Sequence, residues 1–155
     1  MMIKPVRGTH DIYGENLVSY RNIEKTIKEI AEIYDFNEII TPIFEDTELF
    51  KKPLGEQTDV VLKEMYSFKD LNTSSLTLRP EYTTPIIRAA ISNKLFDKLP
   101  VKLFGLGPMF RRERPQKGRF RQFNQINFEI FGTDDSFADS EIILLASDFL
   151  EKIIS

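Results

Sequence analysis

The chain has 155 residues, a length that accommodates about one domain with one hydrophobic core. Its composition, 41% hydrophobic and 29% charged, excludes a disordered or fibrous protein, and no apolar run approaches the roughly 20 residues that cross a bilayer. With no Cys and a single His, His10, the chain has neither disulfides nor a thiolate nucleophile, and we predict no metal site, no secretion signal and a cytoplasmic location.

The predicted elements alternate between helices and strands without an obvious linker, so we treat the chain as one domain. An amphipathic helix is indicated over residues 15–34, where apolar side chains recur at spacings of three and four. A short strand is expected from Glu38 to Thr41, where Pro42 stops it. A hairpin follows, with strands at residues 64–68 and 76–79.

A second helix is predicted to begin near Thr83, with Thr83 or Thr84 as its cap. Two long strands are expected next, over residues 101–111 and 122–131, joined by a basic loop. A final helix is expected after Ser136, where the pattern Ser-x-x-Asp approximates a capping box, and it continues to the end of the chain.

Side-chain alternation along the two long strands separates an apolar face from a mixed one. The mixed face consists of Gly105, Gly107, Arg111, Phe123, Gln125, Asn127 and Glu129. Glycines that leave an open floor, one ring for stacking and a few convergent polar groups are typical of a small-molecule site. A solvent-exposed face of an antiparallel sheet also carries mixed polar residues, so these residues alone leave both interpretations open.

The loop between the two strands concentrates positive charge in an otherwise acidic chain. The net charge is −3, whereas residues 111–121, RRERPQKGRFR, carry five Arg and one Lys against one Glu, or +5. Such a concentration indicates contact with a polyanion. The alternative is a solvated charged loop with no ligand.

The same segment resembles a known family. FRRERPQKGRFRQFNQINFEIFG, residues 110–132, resembles motif 2 of class II aminoacyl-tRNA synthetases in the form that histidyl-tRNA synthetases use. YDFNEIITP (34–42) resembles motif 1, and TLRPEYT (77–83) resembles the family's amino-acid-binding loop. VRGTHDI (6–12) is similar to its N-terminal segment, and GEQTDVVLKEMYSFKD (55–70) also fits. The resemblance covers essentially the whole chain.

This resemblance implies an α+β fold, with a mostly antiparallel sheet flanked by helices, of the class II catalytic-core type. Residues 1–155 would be the N-terminal portion of that catalytic domain, with motifs 1 and 2. Motif 3, the histidine-specific Arg/Tyr-Tyr stretch and an anticodon-binding domain are not found in the sequence. The fragment is therefore expected to be incomplete and inactive by itself, and motif 1 implies a homodimer through residues 17–42.

The function that the resemblance implies is activation of histidine by ATP, supplied with Mg²⁺, followed by transfer to tRNA(His). Such chemistry needs positioning and positive charge rather than a protein nucleophile. By similarity, Arg111 is the catalytic residue and holds the α-phosphate and the carboxylate. Phe123 would stack on adenine, Glu113 would accept from its amino group, and Arg119 would reach the terminal phosphates.

The resemblance also implies a histidine subsite. Glu81, Thr83 and Gln125 would receive the α-ammonium group, and Glu129 would accept a hydrogen bond from an imidazole N–H. Each has a structural alternative: Glu81 or Thr83 can cap the helix that follows, and Glu129 can pair with an arginine. Phe123 can belong to the core if the alternation slips at a bulge.

Arg114 and Gln116 would approach the acceptor end of the tRNA, with a solvated loop as the alternative, and His10 is read as structural. Two departures from the family concern the histidine pocket. Asn124 stands where the family often has His, and Asn127-Phe128 replaces a small pair.

Two other functions compete with the histidyl-tRNA synthetase interpretation. One is a non-catalytic, synthetase-like regulatory subunit of ATP phosphoribosyltransferase in histidine biosynthesis, which has no reason to keep the tRNA-facing loop residues. The other is a sister synthetase for threonine, proline or glycine, although Gln125 together with Glu129 fits histidine better.

Overall fold

The computed structural model describes residues 2–54, 64–114 and 116–154. The first part of the GEQTDVVLKEMYSFKD segment, residues 55–63, therefore lies outside the described residues. The elements follow one another as α1 (Gly14–Ile33), β1 (Asn37–Glu38), β2 (Phe44–Asp46), α2 (Thr47–Leu54), β3 (Tyr66–Lys69), β4 (Ser75–Leu78), α3 (Thr83–Ser92), a short 3₁₀ turn (Leu95–Asp97), β5 (Val101–Phe110), β6 (Gln122–Phe131) and α4 (Ser136–Ile154).

The strands form two three-stranded sheets. In the first sheet β5 lies between β1 and β6, and it pairs with β1 in parallel and with β6 antiparallel. In the second sheet β4 lies between β2 and β3, and both pairings are antiparallel. The predicted α+β class with a mostly antiparallel sheet is confirmed. No helix in the described part of the chain is both long and apolar enough to cross a membrane.

The predicted strand from Glu38 to Thr41 is wrong in its extent. Ladder pairing covers only Asn37 and Glu38, and one further bond follows from the Ile39 N–H to the Phe104 carbonyl at 2.9 Å. Thr41 turns away from the ladder because its carbonyl and its hydroxyl both accept hydrogen bonds from a buried arginine. Strand β2 and helix α2 were not predicted from the sequence. Helix α2 is short and contains a proline, Pro53.

The N-terminal capping residues of two helices differ from those predicted. The N-cap of α3 is Tyr82, and the Glu81 carboxylate accepts from the Thr84 N–H at 3.1 and 3.2 Å, so neither Thr83 nor Thr84 is the cap. A carboxylate suits this place because the free N–H groups of a helix start carry partial positive charge. At α4 the side chain that caps the first turn is that of Asp135 rather than Ser136. Its Oδ1 accepts from the Phe137 N–H at 2.9 Å.

The apolar face of the long hairpin forms the main core, as predicted. The register places Phe104 beside Phe128 and Leu106 beside Ile126, without a slip over ten residue pairs. This face packs against α1 and α4. The buried members of the cluster are Ile27, Ile30, Ala31, Phe36, Phe104 and Leu145.

The opposite face is covered rather than open, which corrects the predicted open floor. A Cβ added at Gly105 would lie 2.1 Å from Cε1 of Tyr82, and one added at Gly107 would lie 2.4 Å from Nη2 of Arg79. The glycines therefore make room for a buried ring and a buried guanidinium group. Tyr82 brings the start of α3 down onto the sheet, where it packs with Leu103 and Met109.

Gly105→Ala is expected to destabilise the fold, because the new methyl group meets a ring that is 0% exposed and cannot move aside. Overpacking of this kind costs about 1–3 kcal/mol in the free energy of unfolding, measured by urea denaturation. The matched control is the same substitution in a Tyr82→Ala background, where the clash is absent. Equal costs in both backgrounds would contradict the explanation.

The C-terminal end of α1 is tied to α4 by a hydrogen bond. The Tyr34 hydroxyl donates to Oδ2 of Asp148 at 2.6 Å. This bond raises the pKa of Tyr34 above its ordinary value, with partial desolvation and the nearby charges of Asp148 and Glu141 adding to the shift. The protonated hydroxyl is the form that the folded chain favours.

We expect Asp148→Asn to lower the pKa of Tyr34 towards its ordinary value, as measured by tyrosinate absorbance against a Tyr34→Phe reference. Because the folded-state pKa is raised, the bond's contribution to stability is fully present below the unfolded-state pKa. It is lost as the pH rises through the folded-state pKa. An unchanged pKa in the Asn variant would contradict the role of the carboxylate.

Candidate active site

The mixed face of β5 and β6 brings the predicted site residues together. The register pairs Gly105 with Asn127, Gly107 with Gln125, and Met109 with Phe123. The alternation continues through these pairs, so no bulge turns Phe123 to the other face. Phe123 nevertheless packs against the buried cluster that contains Tyr82 and Met109, so its core alternative holds in part without a slip. Side chains of this face contact Thr83 at the start of α3.

Four polar side chains on this face form one hydrogen-bonded network. The Thr83 hydroxyl donates to Oε1 of Glu129 at 2.7 Å, and Nδ2 of Asn127 donates to the same oxygen at 3.0 Å. Asn127 Nδ2 also lies 2.8 Å from Oγ1 of Thr83, and Asn127 Oδ1 accepts from Nε2 of Gln125. The structure thus brings three predicted residues together through a fourth, Asn127, to which the sequence analysis assigned no role.

One acceptor of the network has no donor. Oε1 of Gln125 is buried and has no hydrogen-bond partner among the described residues. A buried carbonyl oxygen without a partner costs roughly 1–3 kcal/mol, so this atom is a natural place for a donor group of a ligand. The predicted position for an ammonium group therefore contains an acceptor that no described residue satisfies.

Arg111 lies beside the network at the end of β5. Its Nε donates to the Pro80 carbonyl at 2.8 Å, and its guanidinium carbon lies 5.3 Å from the ring centroid of Phe123. The bond to Pro80 uses one of five N–H donors on the guanidinium group. A planar cation anchored through Nε and placed over an aromatic face has the geometry to bind phosphate or carboxylate oxygens.

Glu81 is separate from the Thr83–Glu129 network. Both of its carboxylate oxygens point to the start of α3, so the structural alternative of a helix cap describes the contact that it makes. The capping alternative does not hold for Thr83, since its hydroxyl is bonded to Glu129 and Asn127.

Residues 116–119 of the basic loop form a small turn. Arg119 donates to Oε2 of Glu113 at 3.3 Å, and Arg121 donates through Nε to the Glu113 carbonyl at 3.3 Å. Gln116 and Arg119 form an isolated antiparallel bridge, which closes the turn. Arg119 is 64% exposed at its side chain, and Arg114 and Gln116 are exposed as well, so these side chains are accessible but do not join the network.

The N-terminal segment supports the base of the loop. The Gly8 carbonyl accepts from the Arg121 N–H at 2.7 Å, and the His10 ring lies 4.8 Å from that of Phe120. These contacts agree with the structural reading of His10. They also join the N-terminal segment to the end of the hairpin loop, at Phe120 and Arg121.

Arg79 is a site-supporting residue that the sequence analysis missed. It is 2% exposed, and it donates to carbonyl oxygens of Thr41 at 2.9 Å and Pro108 at 3.0 Å. Its guanidinium carbon lies 4.3 Å from the ring centroid of Tyr82. The available signal was an arginine at the end of an apolar strand, directly before a proline. From the sequence alone, this position cannot be distinguished from a strand end that is exposed to solvent.

The described residues contain no cluster of candidate metal ligands. Within residues 2–54, 64–114 and 116–154, no group of three or more His, Asp or Glu side chains is arranged to hold a metal ion. The polar groups that this face presents are arginine, amide, hydroxyl and carboxylate side chains.

The chain is similar in structure and in sequence to several known proteins. The apo histidyl-tRNA synthetase of S. aureus superposes with a TM-score of 0.82 at 37% identity, covering 97% of this chain and 35% of that one. Histidine–tRNA ligases of Thermosipho melanesiensis and Rhodospirillum rubrum are 52% and 53% identical over 98% and 96% of this chain. The chain spans about 36% of the length of these curated relatives.

The fold and these matches define the chain as part of the catalytic domain of a class II aminoacyl-tRNA synthetase. A family model described as Histidyl-tRNA synthetase matches residues 8–155. The chain belongs to the histidyl-tRNA synthetase family.

Arg79→Met is expected to lower the free energy of unfolding by about 2–4 kcal/mol, because buried carbonyl oxygens of Thr41 and Pro108 lose their donor. Arg112→Met is the matched control: Arg112 is exposed, and its substitution should change stability by less than about 0.5 kcal/mol. Urea denaturation of both variants measures the difference. Equal effects would show that the buried bonds of Arg79 contribute nothing specific.

Proposed function

We propose that the complete protein containing this chain is a histidine–tRNA ligase. It activates histidine with ATP to form histidyl-adenylate and transfers the histidyl group to tRNA(His). The observation that carries this proposal is the polar network of Thr83, Gln125, Asn127 and Glu129, in which the buried Oε1 of Gln125 has no partner among the described residues, together with Arg111 anchored on Pro80. Family membership supports the same conclusion.

The first reaction is an in-line displacement at the α-phosphorus. An oxygen of the histidine carboxylate forms a bond to phosphorus, and the bond to the oxygen that bridges to the β-phosphate breaks, releasing pyrophosphate. Negative charge gathers on the non-bridging oxygens in the transition state. Arg111 is proposed to stabilise that charge and to hold the carboxylate, because its guanidinium group is already anchored on the Pro80 carbonyl.

ATP is proposed to lie between Phe123 and the basic loop. The Phe123 ring would stack on adenine, Glu113 would accept from the adenine amino group, and Arg119 would reach the terminal phosphates. Mg²⁺ would enter with ATP as part of the substrate and offset its charge. The Arg119–Glu113 contact supports this arrangement, since it ties an exposed arginine to the glutamate that is proposed to bind adenine.

Histidine is proposed to bind across β6 and the start of α3. Its ammonium group would bind Gln125 and Thr83, with Glu81 close by, and Glu129 would accept from an imidazole N–H. Such a site selects a side chain with polar edges, because an apolar amino acid would leave the Glu129 carboxylate unpaired. The existing bonds to Glu129 support the proposal, since they hold the carboxylate in one place.

Arg114 and Gln116 are proposed to contact the acceptor end of the tRNA, and both are exposed on the loop above the site. A homodimer is proposed through residues 17–42. Exposed apolar side chains on α1 and in the segment after β1 support it, among them Val18, Ile33 and Ile40 at 61%, 69% and 80% exposure. A cytoplasmic location is proposed on the absence of Cys and on the family.

The test is histidine-dependent ATP–pyrophosphate exchange by the complete gene product. Arg111→Ala should lower the exchange rate by at least about a hundredfold, since one preorganised donor to a developing charge contributes that much. Arg112→Ala is the matched control: it removes the same charge from the neighbouring, exposed position and should leave the rate within about threefold.

Three results would contradict the proposal in different ways. Exchange driven by threonine, proline or glycine but not histidine would show a sister synthetase. No exchange with any amino acid would favour a non-catalytic regulatory subunit. Equal losses in Arg111→Ala and Arg112→Ala would show that bulk charge, rather than the anchored Arg111, supports the reaction.

A further inference from the structure

We propose that Asn127 is a positioning residue that fixes the amide orientation of Gln125, so that Gln125 presents its carbonyl oxygen to the ammonium group of the bound amino acid. Asn127 does this by relaying the polarity of the Glu129 carboxylate along β6. The inference rests on the proposed function, because it concerns how the same site recognises one group of its substrate.

The relay begins at Glu129. An ionised carboxylate only accepts hydrogen bonds, so each of its partners must be a donor. Its Oε1 lies 2.7 Å from Oγ1 of Thr83 and 3.0 Å from the amide group of Asn127. The atom of Asn127 that faces Glu129 is therefore the nitrogen, since a carbonyl oxygen there would face another oxygen without a proton between them.

Thr83 imposes the same orientation on Asn127 independently. The hydroxyl has one proton, and this proton is used in the bond to Glu129. Oγ1 can then only accept, and it accepts from Nδ2 of Asn127 at 2.8 Å. Two neighbours thus require the NH₂ end of Asn127 on the same side, and Oδ1 must point the other way.

Gln125 is next along the strand and faces that oxygen. Its Nε2 donates to Oδ1 of Asn127, so its carbonyl oxygen occupies the remaining branch of the amide. That atom is the buried Oε1 without a partner among the described residues. The reversed amide would present an NH₂ group, which repels an ammonium group instead of binding it.

Both N–H donors of Asn127 are used within the network and its Oδ1 already accepts from Gln125, whereas Oε1 of Gln125 accepts from no described residue. Nδ2 has two hydrogens and two acceptors, Thr83 and Glu129, and Oδ1 is bonded to Gln125. Its effect on the substrate therefore passes through Gln125. A residue that only filled space beside Gly105, its partner across the sheet, would have no such directional effect.

The test compares two ligands of the complete gene product by isothermal titration calorimetry. Histidine has the ammonium group, whereas imidazolepropionate has the same ring and carboxylate without it. Asn127→Leu should weaken histidine binding by about tenfold to a hundredfold, the loss expected for one hydrogen bond to a charged group. Imidazolepropionate binding should weaken clearly less than histidine binding, because the Thr83 hydroxyl still holds the Glu129 carboxylate. The KM for ATP in the exchange assay should change by less than about threefold.

Two controls separate this effect from a disturbed fold. Gln122→Leu replaces an amide by the same apolar side chain on the same strand, at an exposed position of the opposite face, and it should leave both ligands within about threefold of the parent protein. Asn127→Gly removes the side chain without adding apolar volume, and it should show the same selective loss as Asn127→Leu. Circular dichroism and thermal melting confirm that each variant is folded.

A double-mutant cycle tests the relay itself. If Asn127 acts through Gln125, then Gln125→Ala in an Asn127→Leu background should cost little beyond Asn127→Leu alone. Losses that multiply would show independent roles and overturn the proposal. Equal weakening of histidine and imidazolepropionate by both Asn127 variants would overturn it as well, with the proposed function intact. If the parent protein shows neither histidine binding nor histidine-dependent exchange, the proposed function itself fails and the relay with it.

Discussion

The ten-pair antiparallel ladder between β5 and β6 is the constraint on which the rest of this structure depends. Because side chains alternate along a strand, its unslipped register assigns every residue of the hairpin either to the core with α1 and α4 or to the site face. A shift by one residue would move Phe128 and Ile126 into the site and Gln125 and Glu129 into the core. Core packing and site geometry are therefore consequences of the same pairing.

The site face adds a second requirement, which is that buried polar groups must find partners. Arg79 lies against this face with its donors directed to backbone carbonyls, and Gly107 leaves the space for it. At the same face, Glu129, Thr83, Asn127 and Gln125 bond to one another, and Oε1 of Gln125 is buried without a partner among the described residues. A face built in this way is preorganised, because the protein has ordered these groups before any ligand arrives.

Much of the architecture was predictable from periodicity. The helices at residues 15–34 and from Thr83, the hairpin ending near Leu78 and the division of the long strands into two faces all agree with the structure. The failures have local causes. The strand after Glu38 stops early because Thr41 is bonded to Arg79, and the predicted cap Thr83 is engaged with Glu129. In both cases a partner distant in sequence outcompetes a local preference.

By itself, the sequence determined the family, the α+β class and which residues share the site face, because motif spacing and period-two alternation are properties of a linear pattern. Only the tertiary structure decided what lies against that face. It showed that Gly105 and Gly107 accommodate Tyr82 and Arg79 rather than leaving an open floor, and that Asn127 links the other polar groups. Such contacts join α3, β4 and β6, and no local pattern encodes the distance between side chains on separate elements.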